Sequence, residues 1–128
     1  MDYVLNLSAV LAHILATHPK HKSIEERLEL AEKLLVPDLL ILELQLVVLS
    51  ARYPELDGRV FAQVLETLKT DPAIRLLPLT PEVAEEHSKW FKRLSFFDAY
   101  HAAFSHVHKT KLLTTDKDFK PFDFAEVV

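Results

Sequence analysis

The chain has 128 residues, 49% of them hydrophobic, and a formal net charge of -4 from 15 Lys and Arg against 19 Asp and Glu. That length carries one domain with a genuine core. The acidic balance argues against a protein that grips nucleic acid by overall charge, but leaves room for an acidic pocket that meets phosphates through divalent cations. The absence of cysteine excludes disulfides, thiolate catalysis and Cys-ligated zinc, and a single glycine excludes the glycine-rich phosphate loops of nucleotide-binding folds.

The N-terminus lacks the basic, apolar, small-residue order of a signal peptide, and no apolar run reaches the length of a membrane span, so a cytoplasmic protein with no membrane association is expected. One Met, one Asn and two Gln make the chain poor in heat-labile residues, a composition expected of a protein that works at high temperature.

In chain order, Tyr3-Val4-Leu5 reads as a short strand that stops at Asn6-Leu7-Ser8. Ala9 to Ala16 follows as an apolar helix with Ser8 as its N-cap. Ser23 and Glu26 form a capping box for an amphipathic helix whose face is Ile24, Leu28, Ala31 and Leu35. Leu39 to Ala51 is almost unbroken apolar sequence, its only acid Glu43, and predicts a buried helix with Asp38 near its start. A further amphipathic helix is expected from about Leu56 to Leu68, then a turn at Thr70-Asp71-Pro72 and a strand over Ile74 to Leu77.

Thr80-Pro81-Glu82 is a strong helix start, because proline suits the first helical position. Val83, His87, Trp90 or Phe91, and Leu94 mark that helix's inner face. A helix over Phe97 to His108, a strand at Leu112 to Thr114 and a terminal strand at Ala125 to Val128 complete the chain. Short strands alternating with helices, without hairpin signals, predict a single α/β domain over residues 1–128, built on a small central parallel sheet flanked by helices.

In such sheets ligands gather outside the carboxyl ends of the strands, where Asn6, Ser8 and Asp116 are expected. Asp98 sits among Phe96, Phe97, Ala99 and Tyr100, Glu43 within Leu-Leu-Ile-Leu-Glu-Leu, and Asp116 directly after Leu112-Leu113-Thr114-Thr115. A carboxylate drawn out of water needs a partner, a raised pKa or a metal ion. Taken singly, Asp98 also reads as a helix cap, Asp116 as a turn acid, Ser8 as a cap and Glu43 as half of a salt bridge. Taken together they form an acidic crevice of hard oxygen donors, which suits Mg²⁺ or Mn²⁺ and phosphodiester hydrolysis.

Lys92, Arg93, Lys117 and Lys120 flank this region and are candidates to steer phosphates or simply to form a solvated face. His101, His106 and His108 do not share one helical face and form no zinc triad; His101 lies one turn from Asp98, and all three are expected at a surface or interface. Phe96, Phe97 and Trp90 are expected to pack in the core.

Four of these segments, in this order, resemble the PIN-domain nucleases, and within them the toxin ribonucleases of VapBC toxin-antitoxin pairs: Asn6-Leu7-Ser8 after the first strand, Glu43 in an apolar helix after Val-Pro, Asp98 in Phe-Asp-Ala-x-x-x-Ala, and Leu-Thr-Thr-Asp-Lys-Asp-Phe with Asp116 and Asp118. The resemblance covers essentially the whole chain. It implies a three-layer PIN-like fold, Mg²⁺- or Mn²⁺-dependent cleavage of single-stranded RNA, frequent homodimers and a cognate antitoxin that occludes the site. It further implies that Asp98 and Asp116 are direct metal ligands, that Glu43 is a ligand or holds water, and that Ser8, with Asp118 as a lesser candidate, makes supporting contacts. One departure stands out: the family's first aspartate is Asn6 here, whose amide oxygen still ligates a hard cation but without the charge. Either a naturally impaired enzyme or an aspartate-to-asparagine change made to silence a toxic nuclease accounts for it. A PIN-like module that binds or assembles without catalysis is the alternative reading.

Overall fold

The computed structural model describes residues 1–128 and contains five strands and six α-helices. All five strands, β1 (Tyr3–Leu5), β2 (Leu34–Pro37), β3 (Ile74–Leu77), β4 (Leu112–Thr114) and β5 (Ala125–Val127), run parallel in the order β3-β2-β1-β4-β5. The chain winds outward from β1 to β3 on one side and from β4 to β5 on the other. The switch point therefore lies between β1 and β4, where an open α/β sheet leaves a crevice at its carboxyl edge.

Strand alternation sends side chains to two separate layers. Tyr3, Leu5, Leu34, Val36 and Leu113 pack with residues of α1 (Leu7–Ile14), α2 (His21–Leu28), α3 (Leu39–Ser50) and α4 (Gly58–Thr70). Val4, Leu35, Leu77 and Leu112 pack on the opposite face with Val83 of α5 (Pro81–Trp90) and Ala103 and Phe104 of α6 (Phe96–His108). The result is the expected three-layer α/β arrangement.

Several local expectations are corrected. The N-cap of α1 is Asn6, whose side chain accepts from the Ala9 N–H, so the helix starts at Leu7 and Ser8 lies inside it. Helix α2 begins at His21 without a side-chain cap, which leaves Ser23 in its interior and the capping box unformed. The same helix ends at Leu28, and Leu35, in phase with its apolar face, belongs to β2, a strand absent from the sequence reading. Helix α3 is not buried all round: Leu40 and Leu44 face the core, while Leu42, Leu46 and Leu49 stand 48%, 50% and 74% exposed. Helix α5 starts as expected, with Thr80 capping Val83 and Pro81 in its first turn, but it ends at Trp90, so Leu94 lies beyond it.

Phe104 is fully buried between α6 and the sheet, in contact with the cluster that includes Val4, Leu112 and Phe119. Phe104→Ala is expected to lower stability by about 3–5 kcal/mol. Urea unfolding should show this as a lower midpoint with an unchanged m-value.

Candidate active site

The carboxyl ends of β1 and β4 are tied together by side chains. Asn6, only 3% exposed, donates through Nδ2 to Thr114 Oγ1 at 2.8 Å and accepts through Oδ1 from Ser8 Oγ at 3.0 Å and from the Ala9 N–H at 3.2 Å. The Ala9 N–H can only donate, so it determines which end of the amide is oxygen. With its proton given to Asn6, Ser8 accepts from the Thr115 N–H at 3.1 Å and from the Thr114 hydroxyl at 3.2 Å. Thr114 in turn accepts the Asp116 N–H at 3.0 Å, and Asp116 Oδ1 accepts the Asp118 N–H at 2.9 Å. Every group in the chain of bonds has one consistent role, and the network places Asp116 at the mouth of the crevice.

Asn6, Ser8, Glu43, Asp98 and Asp116 line one cavity of about 280 Å³, walled by Leu7, Leu11, Val47, Tyr53 and Leu56. The residues come from the end of β1, from α1, from α3, from the first turn of α6 and from the turn after β4. No lysine or arginine forms an ion pair with Glu43, Asp98 or Asp116. The partner Glu43 does have is His101, whose Nε2 lies 2.8 Å from Oε1. Burial pushes the Asp98 carboxyl above the ordinary aspartate value, Ser95 and His101 pull it back, and the Asp116 and Glu43 charges push it up again. Asp98 does not cap α6; Ser95 occupies that position and Asp98 sits in the first turn.

The donors fit a hard divalent cation in kind: oxygen ligands, no competing cationic side chain, and one carboxyl held out of water. As they stand, no three of the acidic and histidine side chains are drawn together into a ligating group. Both acceptor positions of Asn6 Oδ1 are taken by protein donors, which makes Asn6 a brace for the crevice in this arrangement. The Ser8 hydroxyl touches Asn6, Thr114 and the Thr115 N–H, and Asp118 is exposed and engages Asp116 through its backbone.

The basic candidates form a solvated face outside the cavity. Lys92, Arg93, Lys117 and Lys120 are all exposed, and none lines the acidic cavity. The Arg93 guanidinium lies 5.4 Å from the Trp90 ring centre and 4.8 Å from that of Phe122, committed to an aromatic cluster. Arg52, unremarked in the sequence, lines the adjoining depression with Glu43, Tyr53 and Phe97. Its αL neighbour Ala51, at φ 54°, ends α3 immediately before Arg52 and Tyr53. His101 is the other residue the sequence reading misplaced: it is completely buried, because the inward face of α6 carries it beneath Glu43. His106 stacks on Trp90 and His108 on Phe104. Phe96 is half exposed, not core.

A carboxyl that titrates higher in the folded chain favours folding below its unfolded value of about 3.9, and that contribution is lost as pH rises through the folded value. Asp98→Asn removes the buried charge. In metal-free buffer its urea midpoint should exceed the parent's at pH 7, and the gap should close as pH falls to about 3. A gap independent of pH would contradict the burial argument.

A family model described as the PIN domain matches residues 3–125. No curated protein matches the sequence. Among solved structures, VapC20 of Mycobacterium tuberculosis, a sarcin-ricin loop cleaving toxin, is similar with a TM-score of 0.72 and 18% identity over 99% of this chain and 98% of that one. FitAcB from Neisseria gonorrhoeae gives 0.70 and 22% over 100% and 97%. VapBC2 from Rickettsia felis, bound to a DNA fragment from the promoter, gives 0.69 and 16% over 100% and 98%. At these identities the solved structures speak for the fold, which is that of VapC-type proteins. The family model reaches across nearly the whole sequence and says more: this chain belongs to the PIN-domain family.

Proposed function

We propose that the protein is an endoribonuclease dependent on Mg²⁺ or Mn²⁺, that it hydrolyses phosphodiesters of single-stranded RNA, and that it serves as the toxin of a toxin-antitoxin pair. PIN-domain proteins are generally metal-dependent nucleases. The observation that carries the reading is the convergence of Glu43, Asp98 and Asp116, from distant parts of the chain, on one cavity at the switch point of the sheet without a lysine or arginine to neutralise them. Asp98 and Asp116 would hold the cation, and Glu43 would complete the set or orient water. A divalent ion supplies Lewis acidity there, activating water and offsetting phosphate charge. The Asn6-Ser8-Thr114 network keeps Asp116 in place, and the apolar walls at Leu11, Val47 and Leu56 limit water around the carboxylates. Lys92, Lys117 and Lys120, with Arg52 nearer the cavity, are available to the phosphate backbone, while Arg93 is engaged by Trp90 and Phe122.

A toxin-antitoxin complex from Klebsiella pneumoniae has the same fold at 16% identity, with a TM-score of 0.70 over 98% of this chain and 96% of that one, and supports an antitoxin partner. The exposed apolar side chains of α3, Leu42, Leu46 and Leu49, support a protein partner or a second copy of the chain in a homodimer. The second reading, a PIN-like module without catalysis, is favoured by the engaged amide of Asn6 and the absence of a closed ligating group.

Single-turnover cleavage of unstructured RNA with Mn²⁺ separates the two. Asp98→Ala and Asp116→Ala should each cost more than the ~10–100-fold that loss of a supporting contact costs in a metal site. Asn6→Asp adds a negative charge where Nδ2 now sits and requires only that Thr114 turn its hydroxyl, so it should raise both cleavage and Mn²⁺ affinity. No Mn²⁺ binding even in Asn6→Asp would leave the non-catalytic module as the better account.

A further inference from the structure

His101 and Glu43 belong to different layers of the molecule, α6 and α3, and meet beneath the acidic cavity with 2.8 Å between Nε2 and Oε1. The imidazole side chain is 1% exposed and that of Glu43 16% exposed. His101 Nδ1 is buried with no hydrogen-bond partner. A proton on Nδ1 would leave a buried N–H unpaired and set the bare Nε2 against a carboxylate oxygen. A proton on Nε2 instead donates to Glu43 and leaves only an acceptor unsatisfied. The geometry therefore selects the Nε2–H form.

Packing alone does not explain the residue, since leucine would fill the space without orphaning a polar atom. What histidine adds is a single donor on a ring buried out of water, aimed at one oxygen of Glu43. That oxygen is engaged, and Oε2 is left without a protein donor on a residue that lines the cavity. Ligating groups are commonly oriented in this way by a hydrogen bond from behind.

We propose that His101 is a positioning residue for Glu43, holding one carboxylate oxygen through Nε2–H so that the other is presented to a cation in the cavity. This rests on the metal-site reading above, and the test separates the two. Mn²⁺ affinity by calorimetry, RNA cleavage and thermal melting are measured on the full chain for His101→Leu, His101→Gln, His101→Asn and Asp116→Ala. Glutamine carries an amide N–H to about where Nε2 lies; asparagine places it near Nδ1 and cannot reach Glu43.

His101→Leu and His101→Asn should bind Mn²⁺ about 10–100-fold more weakly, with cleavage falling in parallel, while His101→Gln recovers to within a few-fold of the parent. Unchanged Mn²⁺ affinity in His101→Leu alongside its loss in Asp116→Ala overturns the positioning role alone. Unchanged affinity in both overturns the metal site as well. Equal impairment in all three His101 variants reduces the residue to a packing role. Imidazole ¹⁵N spectra of the unsubstituted chain give a readout that no folding defect can obscure: a protonated Nε2 and a bare Nδ1 at His101 are expected, and a neutral ring protonated at Nδ1 would overturn the proposal.

Discussion

The hydrogen bond from the Asn6 amide to the Thr114 hydroxyl joins the ends of the two central strands, and the rest of the crevice is assembled on it. The same amide caps α1 through the Ala9 N–H, which ties the helix start to the strand end with no intervening loop. The same hydroxyl receives the Asp116 N–H, which sets where the chain turns after β4. In a parallel sheet the backbone bonds align the strands but say nothing about the loops that leave them. Here a three-residue network of Asn6, Ser8 and Thr114 extends the alignment one step beyond the last strand residues. Each member both gives and receives, so the loss of any one leaves a buried polar group unmatched.

Around that brace the charges are distributed unevenly. Elsewhere some acids have ordinary partners, Glu86 with Lys89, Glu126 with Arg27 and Glu25 with His13, and most of the others stand exposed to water. In the crevice Asp98 and Asp116 have no cationic partner, and Glu43 has only an imidazole. The upward displacement of the Asp98 carboxyl expresses that imbalance directly, since burial comes first and the two neighbouring carboxylates add to it. A domain that only needed to fold would gain by placing a lysine there. The arrangement is intelligible if the missing positive charge is to come from outside the chain.

The central acids were legible because each stands in an apolar run that makes its solvation costly, and because the short strands and long apolar helices announce an α/β sheet whose carboxyl edge collects such groups. Other features lay outside what periodicity encodes. Leu34 to Pro37 continues the apolar face of α2 in phase at Leu35, so nothing local marks the change from helix to strand; pairing with β1 and β3 decides it. Hydrophobicity in α3 exceeds what the core can take up, and the sequence cannot say which leucines are left over. His101 looked like a surface histidine because its partner, Glu43, is 58 positions away. The N-cap fell to Asn6 instead of Ser8 because the chain enters α1 directly from the strand, and only then does the amide reach Ala9.

The most direct test of the account is crystallographic. Crystals soaked in Mn²⁺ and measured at a wavelength where manganese scatters anomalously should show a peak in the cavity between Glu43, Asp98 and Asp116, with carboxylate oxygens closing on it. Data of equal quality that show no manganese in the cavity, or show it bound only elsewhere on the surface, would contradict the claim that these three carboxylates form a cation site.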